Sequence, residues 1–180
     1  DVVFDRVASE DWVTDTTVRV TLNGSVAIEG SGMEPEQARV SVEADFERSL
    51  IDNYRLSAFW FDIDYAEQAV SGAFKGEGEF GKIEARGEVG ELFDSVSYDL
   101  DLDIAGLNLA RLGFGDTLQT DINLSAQTSG KGYTRETARG YARMILRSSR
   151  VLQYDLDSGY IATEFGEERL KIDTALLTTS

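Results

Sequence analysis

A chain of 180 residues, 42% of them hydrophobic, is long enough to bury a core and too apolar for a disordered polymer. Its net charge of −16, from 33 acidic against 17 basic residues, argues against capture of nucleic-acid phosphates and of anionic membrane surfaces. Cysteine and histidine are both absent, which removes disulfides, thiol catalysis, Ser-His-Asp triads and His-bound zinc.

The first segment, FDRVASEDW (4–12), reads as the tail of a connector. From Val18 the sequence alternates: Val18, Val20, Leu22, Val26 and Ile28 fall on one side, and Arg19, Thr21, Asn23, Ser25 and Glu29 on the other. A period of two is the pattern of a half-buried strand. GSGMEPEQ (30–37) follows as a connector: glycines turn the chain, and Pro35 suits a first helical turn. Strand character resumes at 38–47, with Ala38, Val40, Val42, Ala44 and Phe46 opposite Arg39, Ser41, Glu43, Asp45 and Glu47.

YRLSAFWFDIDY (54–65) breaks the rule. Tyr54, Leu56, Ala58 and Trp60 share one parity, and Phe59, Phe61, Ile63 and Tyr65 the other. Either both faces are covered or a bulge near Phe59–Phe61 switches them. KIEARGEV (82–89) and SVSYDLDLDI (95–104) alternate cleanly, the latter placing Val96, Tyr98, Leu100, Leu102 and Ile104 against Ser97, Asp99, Asp101 and Asp103. NLARLGF (108–114) and TRETA (134–138) offer short helical connectors. No apolar run reaches the roughly 20 residues of a membrane helix, and no signal-peptide pattern opens the sequence.

The chain repeats itself. Aligned without a gap, residues 30–67 and 130–167 share nine identities: Gly30/Gly130, Gly32/Gly132, Glu36/Glu136, Ala38/Ala138, Arg39/Arg139, Ser49/Ser149, Tyr54/Tyr154, Leu56/Leu156 and Glu67/Glu167. Chance supplies roughly two or three. The register extends back to 18–28 against 118–128, so a unit of about 100 residues recurs, as in chains that stack supersecondary units. The expected division is a first unit at 1–103, with 1–12 the end of a preceding connector, and an incomplete second unit at 104–180 of the same sheet. The abrupt start at Asp1 and the stop at Ser180 within the pattern lead to the expectation of a piece of a longer protein.

Strand, Gly-x-Gly, an EPEQAR turn, strand, the passage through Asn53, Tyr54 and Leu56, GKIEARGEV (81–89), strand, then GLNLARLG (106–113): this order resembles the repeats of the AsmA-like superfamily, in particular its TamB branch. The resemblance covers nearly the whole chain. It implies an all-β fold of long antiparallel strands, curled lengthwise into a trough with short helical connectors. It also implies an apolar groove within a periplasmic protein that bridges the two membranes of a bacterial envelope, anchored in the inner membrane outside this sequence. The implied roles are phospholipid movement and outer-membrane protein assembly. The implied partners are phospholipid acyl chains, flanking repeats and an outer-membrane barrel protein.

The alternation nominates the groove lining: Val18, Val20, Leu22, Val26, Ile28, Val40, Val42, Phe46, Leu56, Trp60, Ile83, Val96, Tyr98, Leu100, Leu102, Ile104, Leu118, Ile122 and Leu124. Acyl contact needs only continuous apolar area, worth about 25 cal/mol per Å² removed from water. Phe46, Trp60, Tyr98 and Tyr160 are core residues or, in an open trough, acyl contacts.

Other chemistry is weighed against a solvated face. Asp99, Asp101 and Asp103 offer carboxylates to calcium, but same-face neighbours on a strand stand roughly 7 Å apart and no EF-hand pattern accompanies them. Asp62, Asp64, Glu77, Glu79 and Glu84 could pair for glycoside hydrolysis, as could acids in any chain this acidic. Arg135, Arg139, Arg143, Arg147 and Arg150 form a basic island for phospholipid headgroups or an acidic neighbouring repeat. The sequence reading is therefore a non-enzymatic segment, without metal or cofactor, whose apolar groove shields lipid or protein cargo. The alternatives are a structural or adhesive repeat with a closed dry core, and a carbohydrate-binding β-domain supported by Phe59 and Phe61 on the polar face.

Overall fold

The computed structural model describes residues 2–8, 20–51, 54–92, 95–112, 117–134, 136–166 and 169–179. It is all-β. In chain order the strands are β1 (Val2–Ala8), β2 (Val20–Ser31), β3 (Arg39–Ile51), β4 (Tyr54–Ala66), β5 (Ala69–Gly78), β6 (Gly81–Gly90), β7 (Ser97–Leu107), β8 (Thr120–Lys131), β9 (Arg139–Leu146), β10 (Ser149–Val151), β11 (Tyr154–Gly166) and β12 (Arg169–Thr179). They form one antiparallel sheet in sequence order, with β9 and β10 sharing the place between β8 and β11. Every connection joins spatial neighbours, the shortest loop closure available to a sheet. Among the described residues the order runs from β1 to β12 without closing on itself.

The offset of 100 residues governs the backbone. β2, β3, β4 and β5 begin at 20, 39, 54 and 69, and β8, β9, β11 and β12 at 120, 139, 154 and 169. β1 stands to β2 as β7 stands to β8: Phe4↔Gly24 and Val7↔Leu22 flank one register shift, and Ile104↔Leu124 and Leu107↔Ile122 flank the other. The expected division at 103/104 falls inside β7, so the units are stretches of one ladder.

The connectors at 33–38 and 134–138 are single hydrogen-bonded turns rather than helices. Ala38 N–H donates to Glu34 O at 2.8 Å, and Ala138 N–H to Thr134 O at 2.8 Å. One such bond leaves a helix unpropagated. Both turns start from a left-handed glycine, Gly32 (φ 81°) and Gly132 (φ 73°). The connector after β7 is a 3₁₀ helix, Leu109–Leu112, begun by Asn108 Oδ1 accepting from Ala110 N–H at 3.1 Å.

A repeated irregularity sets the faces. β3 holds one residue more than β2 at Arg48, which is left-handed at φ 46°, and the chain between β9 and β10 breaks at the equivalent point. The Ser49 hydroxyl accepts from Asn23 N–H (3.2 Å) and donates to Glu47 O (3.3 Å), while the Asn23 amide donates to Arg48 O (3.0 Å). The second unit copies this: Ser149 accepts from Asn123 N–H (2.9 Å) and donates to Arg147 O (2.7 Å), and the Asn123 amide donates to Ser148 O (2.7 Å). Both serines are buried. Ser49→Ala or Ser149→Ala would strip a half-buried N–H of its acceptor and is expected to cost about 1 kcal/mol. Urea denaturation of each variant against the parent checks this, and a loss under a few tenths would count against the pin.

Candidate functional site

Directly opposed residues of an antiparallel pair share a face. Following partners from β2 to β11 gives rows on one side: Val26, Ala44, Phe61, Phe74, Ala85, Leu102, Ala126, Met144, Ile161; and Ile28, Val42, Ile63, Gly72, Gly87, Leu100, Thr128, Ala142, Thr163. Between them they contain no charged residue. The opposite side carries Ser25, Asp45, Trp60, Lys75, Glu84, Asp103, Ser125 and Ala27, Glu43, Asp62, Ala73, Arg86, Asp101, Gln127, Arg143 in the same way. The sheet thus has one apolar and one charged face.

The apolar face is covered at one end and open at the other. At the covered end Leu56, Phe80, Ile104 and Leu107 are buried together, and Leu109 and Leu112 of the 3₁₀ helix pack over them. Thr120 pins that helix, its hydroxyl accepting from Leu109 N–H at 2.9 Å and donating to Leu107 O at 2.8 Å. Next to this core, Phe59 stacks against Phe46, Phe61 and Phe74 at ring separations of 5.9, 5.9 and 5.1 Å. Toward the other end exposure rises: Val40 is 38%, Ile63 41%, Leu100 42% and Ile28 66% exposed. There Gly87 makes room for Leu100, whose Cδ2 occupies the space a Cβ at that glycine would need.

Most of the expected lining lies on this face: Val20, Leu22, Val26, Ile28, Val40, Val42, Phe46, Leu56, Ile83, Tyr98, Leu100, Leu102, Ile104, Ile122 and Leu124. Val96 and Leu118 sit just outside the strands, and Val18 falls outside the described residues. Trp60 is a correction. It pairs with Asp45 and Lys75 and belongs to the charged face. The bulge that decides this is at Ser57, between Leu56↔Gly78 and Ala58↔Glu77, upstream of the expected Phe59–Phe61. One extra residue puts Leu56 and Phe59 on the same side and sends Trp60 to the other. Tyr160 follows its equivalent onto the charged face, opposite Ile145 and Leu176. Phe59 and Phe61, cited for carbohydrate binding on the polar face, are on the apolar one.

On the charged face a cleft of about 590 Å³ crosses β4 to β9, lined by Trp60, Lys75, Glu84, Arg86, Asp101 and Arg143 among others. Asp101 accepts from Arg86 Nε at 2.9 Å and from Gln127 Nε2 at 2.7 Å. Asp103 accepts from Arg147, whose guanidinium crosses β8 to reach it at 2.9 Å. Among the described residues no cluster of three or more acidic side chains is placed to hold a metal ion. The Arg147–Asp103 pair makes the basic island a neighbour of the acidic strand of the preceding unit, and Arg150 similarly pairs with Asp155 at 2.7 Å. Such exposed pairs are worth little each. Sequence reasoning missed Asn23/Asn123, identical at the repeat offset but outside the window where identities were counted.

Comparison of the chain with protein-family models, with curated proteins and with solved structures returned no match.

Hydrogen bonds from Gln127 and Arg86 hold the Asp101 carboxyl below its ordinary range, and Lys82 does the same for Glu84. A lowered folded pKa contributes stability above the unfolded value, lost as pH falls through the folded one. Asp101→Asn is therefore expected to lower the urea midpoint slightly at neutral pH. The difference should begin to shrink as pH falls through the ordinary carboxylate range and vanish only once pH has passed the lowered folded pKa of Asp101. Midpoints measured from pH 2 to 7 check the sign.

Proposed function

We propose that this chain is a passive segment of an envelope-spanning bridge protein, its apolar face shielding phospholipid acyl chains during passage through an aqueous compartment. The observation that carries the reading is the apolar face itself, free of charge over two rows and leaving Ile28, Val40, Ile63 and Leu100 exposed beyond the end that the 3₁₀ helix covers. Monomeric surfaces seldom leave so continuous an apolar area to water. The resemblance to TamB-type repeats supplies the periplasmic setting, the inner-membrane anchor elsewhere in a longer chain, the trough-like curl and the further role in outer-membrane protein assembly. The mechanism is sliding along a non-directional surface, with no bond made or broken.

The rival reading, a structural repeat with a dry core, draws on the covered end, where Leu56, Phe80, Ile104 and Leu107 are buried by side chains of the protein itself. The open end separates the two. A photoreactive residue at Ile63 or Leu100, with Glu43 and Asp99 as opposite-face controls, is expected to give phospholipid adducts only at the first pair. Mass spectrometry of adducts formed with mixed phospholipid vesicles reads this. Adducts confined to the same chain would mean a closed face. Leu100→Glu is expected to reduce lipid adducts at Ile63 at least several-fold, because burying a carboxylate among acyl chains is costly.

A further inference from the structure

We propose that the cleft on the charged face binds an acidic oligosaccharide, with sugar rings against Trp60 and Tyr160 and a carboxylate on Arg143. The proposal does not rest on what the apolar face carries. The cleft runs from β4 to β9, in the middle of the described sheet, with paired strands on both sides. Its volume of about 590 Å³ is that of a ligand site.

The register sets the length of the ligand. One row of successive partners leads from Trp60 on β4 to Ile145 on β9 and Tyr160 on β11. At the usual strand spacing that row is roughly 29 Å long. Trp60 and Tyr160 are its two aromatic residues, one from each unit, 100 residues apart. The faces of such rings are electronegative and accept the C–H side of a pyranose. A ligand that uses both rings must be a chain of several sugars.

Between the rings the floor is polar and held in place. The Asp101 carboxylate accepts from Arg86 Nε at 2.9 Å and from Gln127 Nε2 at 2.7 Å. That leaves the outer guanidinium N–H groups of Arg86 and the Gln127 carbonyl for sugar hydroxyls, which both donate and accept. Groups already fixed by one another lose little freedom on binding. Ala73 and Ser125 keep the floor low beside them.

Charge selects an acidic sugar. Glu84 is met by Lys75 and Lys82, Asp101 by Arg86 and Asp103 by Arg147. Arg143 lies between Gln127 and Ala162 and, among the described residues, has neither an ion pair nor a hydrogen bond. In a chain of net charge −16, the acids lining this cleft are neutralised and one guanidinium is left over. A free guanidinium fork matches a carboxylate. Nucleic acid, the other long anion with flat rings, is opposed by the charge of the whole chain.

The test titrates the whole chain, isotopically labelled, with a hexamer of 1,4-linked galacturonate. Shifts are expected at the Trp60 indole N–H and at the amides of Gln127 and Arg143. A neutral glucose hexamer should bind about tenfold more weakly, Arg143→Gln should remove that difference, and Arg143→Lys should keep only part of it. Trp60→Ala should weaken both hexamers. Unchanged amide shifts in β2 and β6 verify that each variant is folded. A glutamate hexamer, which carries the charge without the rings, should leave the Trp60 indole unmoved. Three results would overturn the proposal: no shift in the cleft with galacturonate, equal affinity for the neutral hexamer, or a glutamate hexamer that binds as tightly as the sugar.

Discussion

The structure depends on one constraint: a strand shows the same face to its neighbours only while the residue count between them is matched. A single extra residue in one strand exchanges the apolar and charged sides of everything beyond it. This sheet carries such extra residues at Arg48 and Ser57, and again in the second unit. It fixes them with buried serines, Ser49 and Ser149, whose hydroxyls replace the ladder bond that the bulge removes. Because the break falls at the same row in adjacent strands, the faces change over together and the apolar side stays continuous.

That continuity connects the fold to the proposed task. An open sheet with one uncharged face must cover it, and among the described residues the cover lies over one end, with Leu109 and Leu112 over Leu56, Phe80, Ile104 and Leu107. The charge is spent on the other face, where ion pairs such as Lys75–Glu84 and Arg86–Asp101 run between neighbouring strands and Arg147–Asp103 spans three. These pairs add little stability. They make that face a poor surface for apolar partners, and in the proposed reading the opposite face is the one that meets acyl chains.

Some local geometry had no warning in the residue types. The β4–β5 hairpin turns through Glu67 and Gln68, both left-handed at φ 52° and 63°, where Asn-Gly is the usual pair. Two side chains in that region cost of order 1 kcal/mol each and persist because the long ladders on either side hold the turn. Leu152, at φ 56°, does the same at the foot of β11.

Alternation and the offset of 100 residues were legible in the sequence because both are properties of a chain read in one dimension. They placed β2, β3, β6, β7 and β8 with their apolar faces and the repetition of the connectors, but read β1 as the tail of a connector, left β5 unmarked and on β4 nominated only Leu56 correctly. The side that Trp60 and Tyr160 take was not legible. It depends on a bulge, and a bulge exists only relative to the partner strand that lacks the extra residue. The same holds for the pairing of Arg147 with Asp103, 44 residues apart. Those are set by which strands lie side by side, a relation between distant segments that tertiary pairing alone decides.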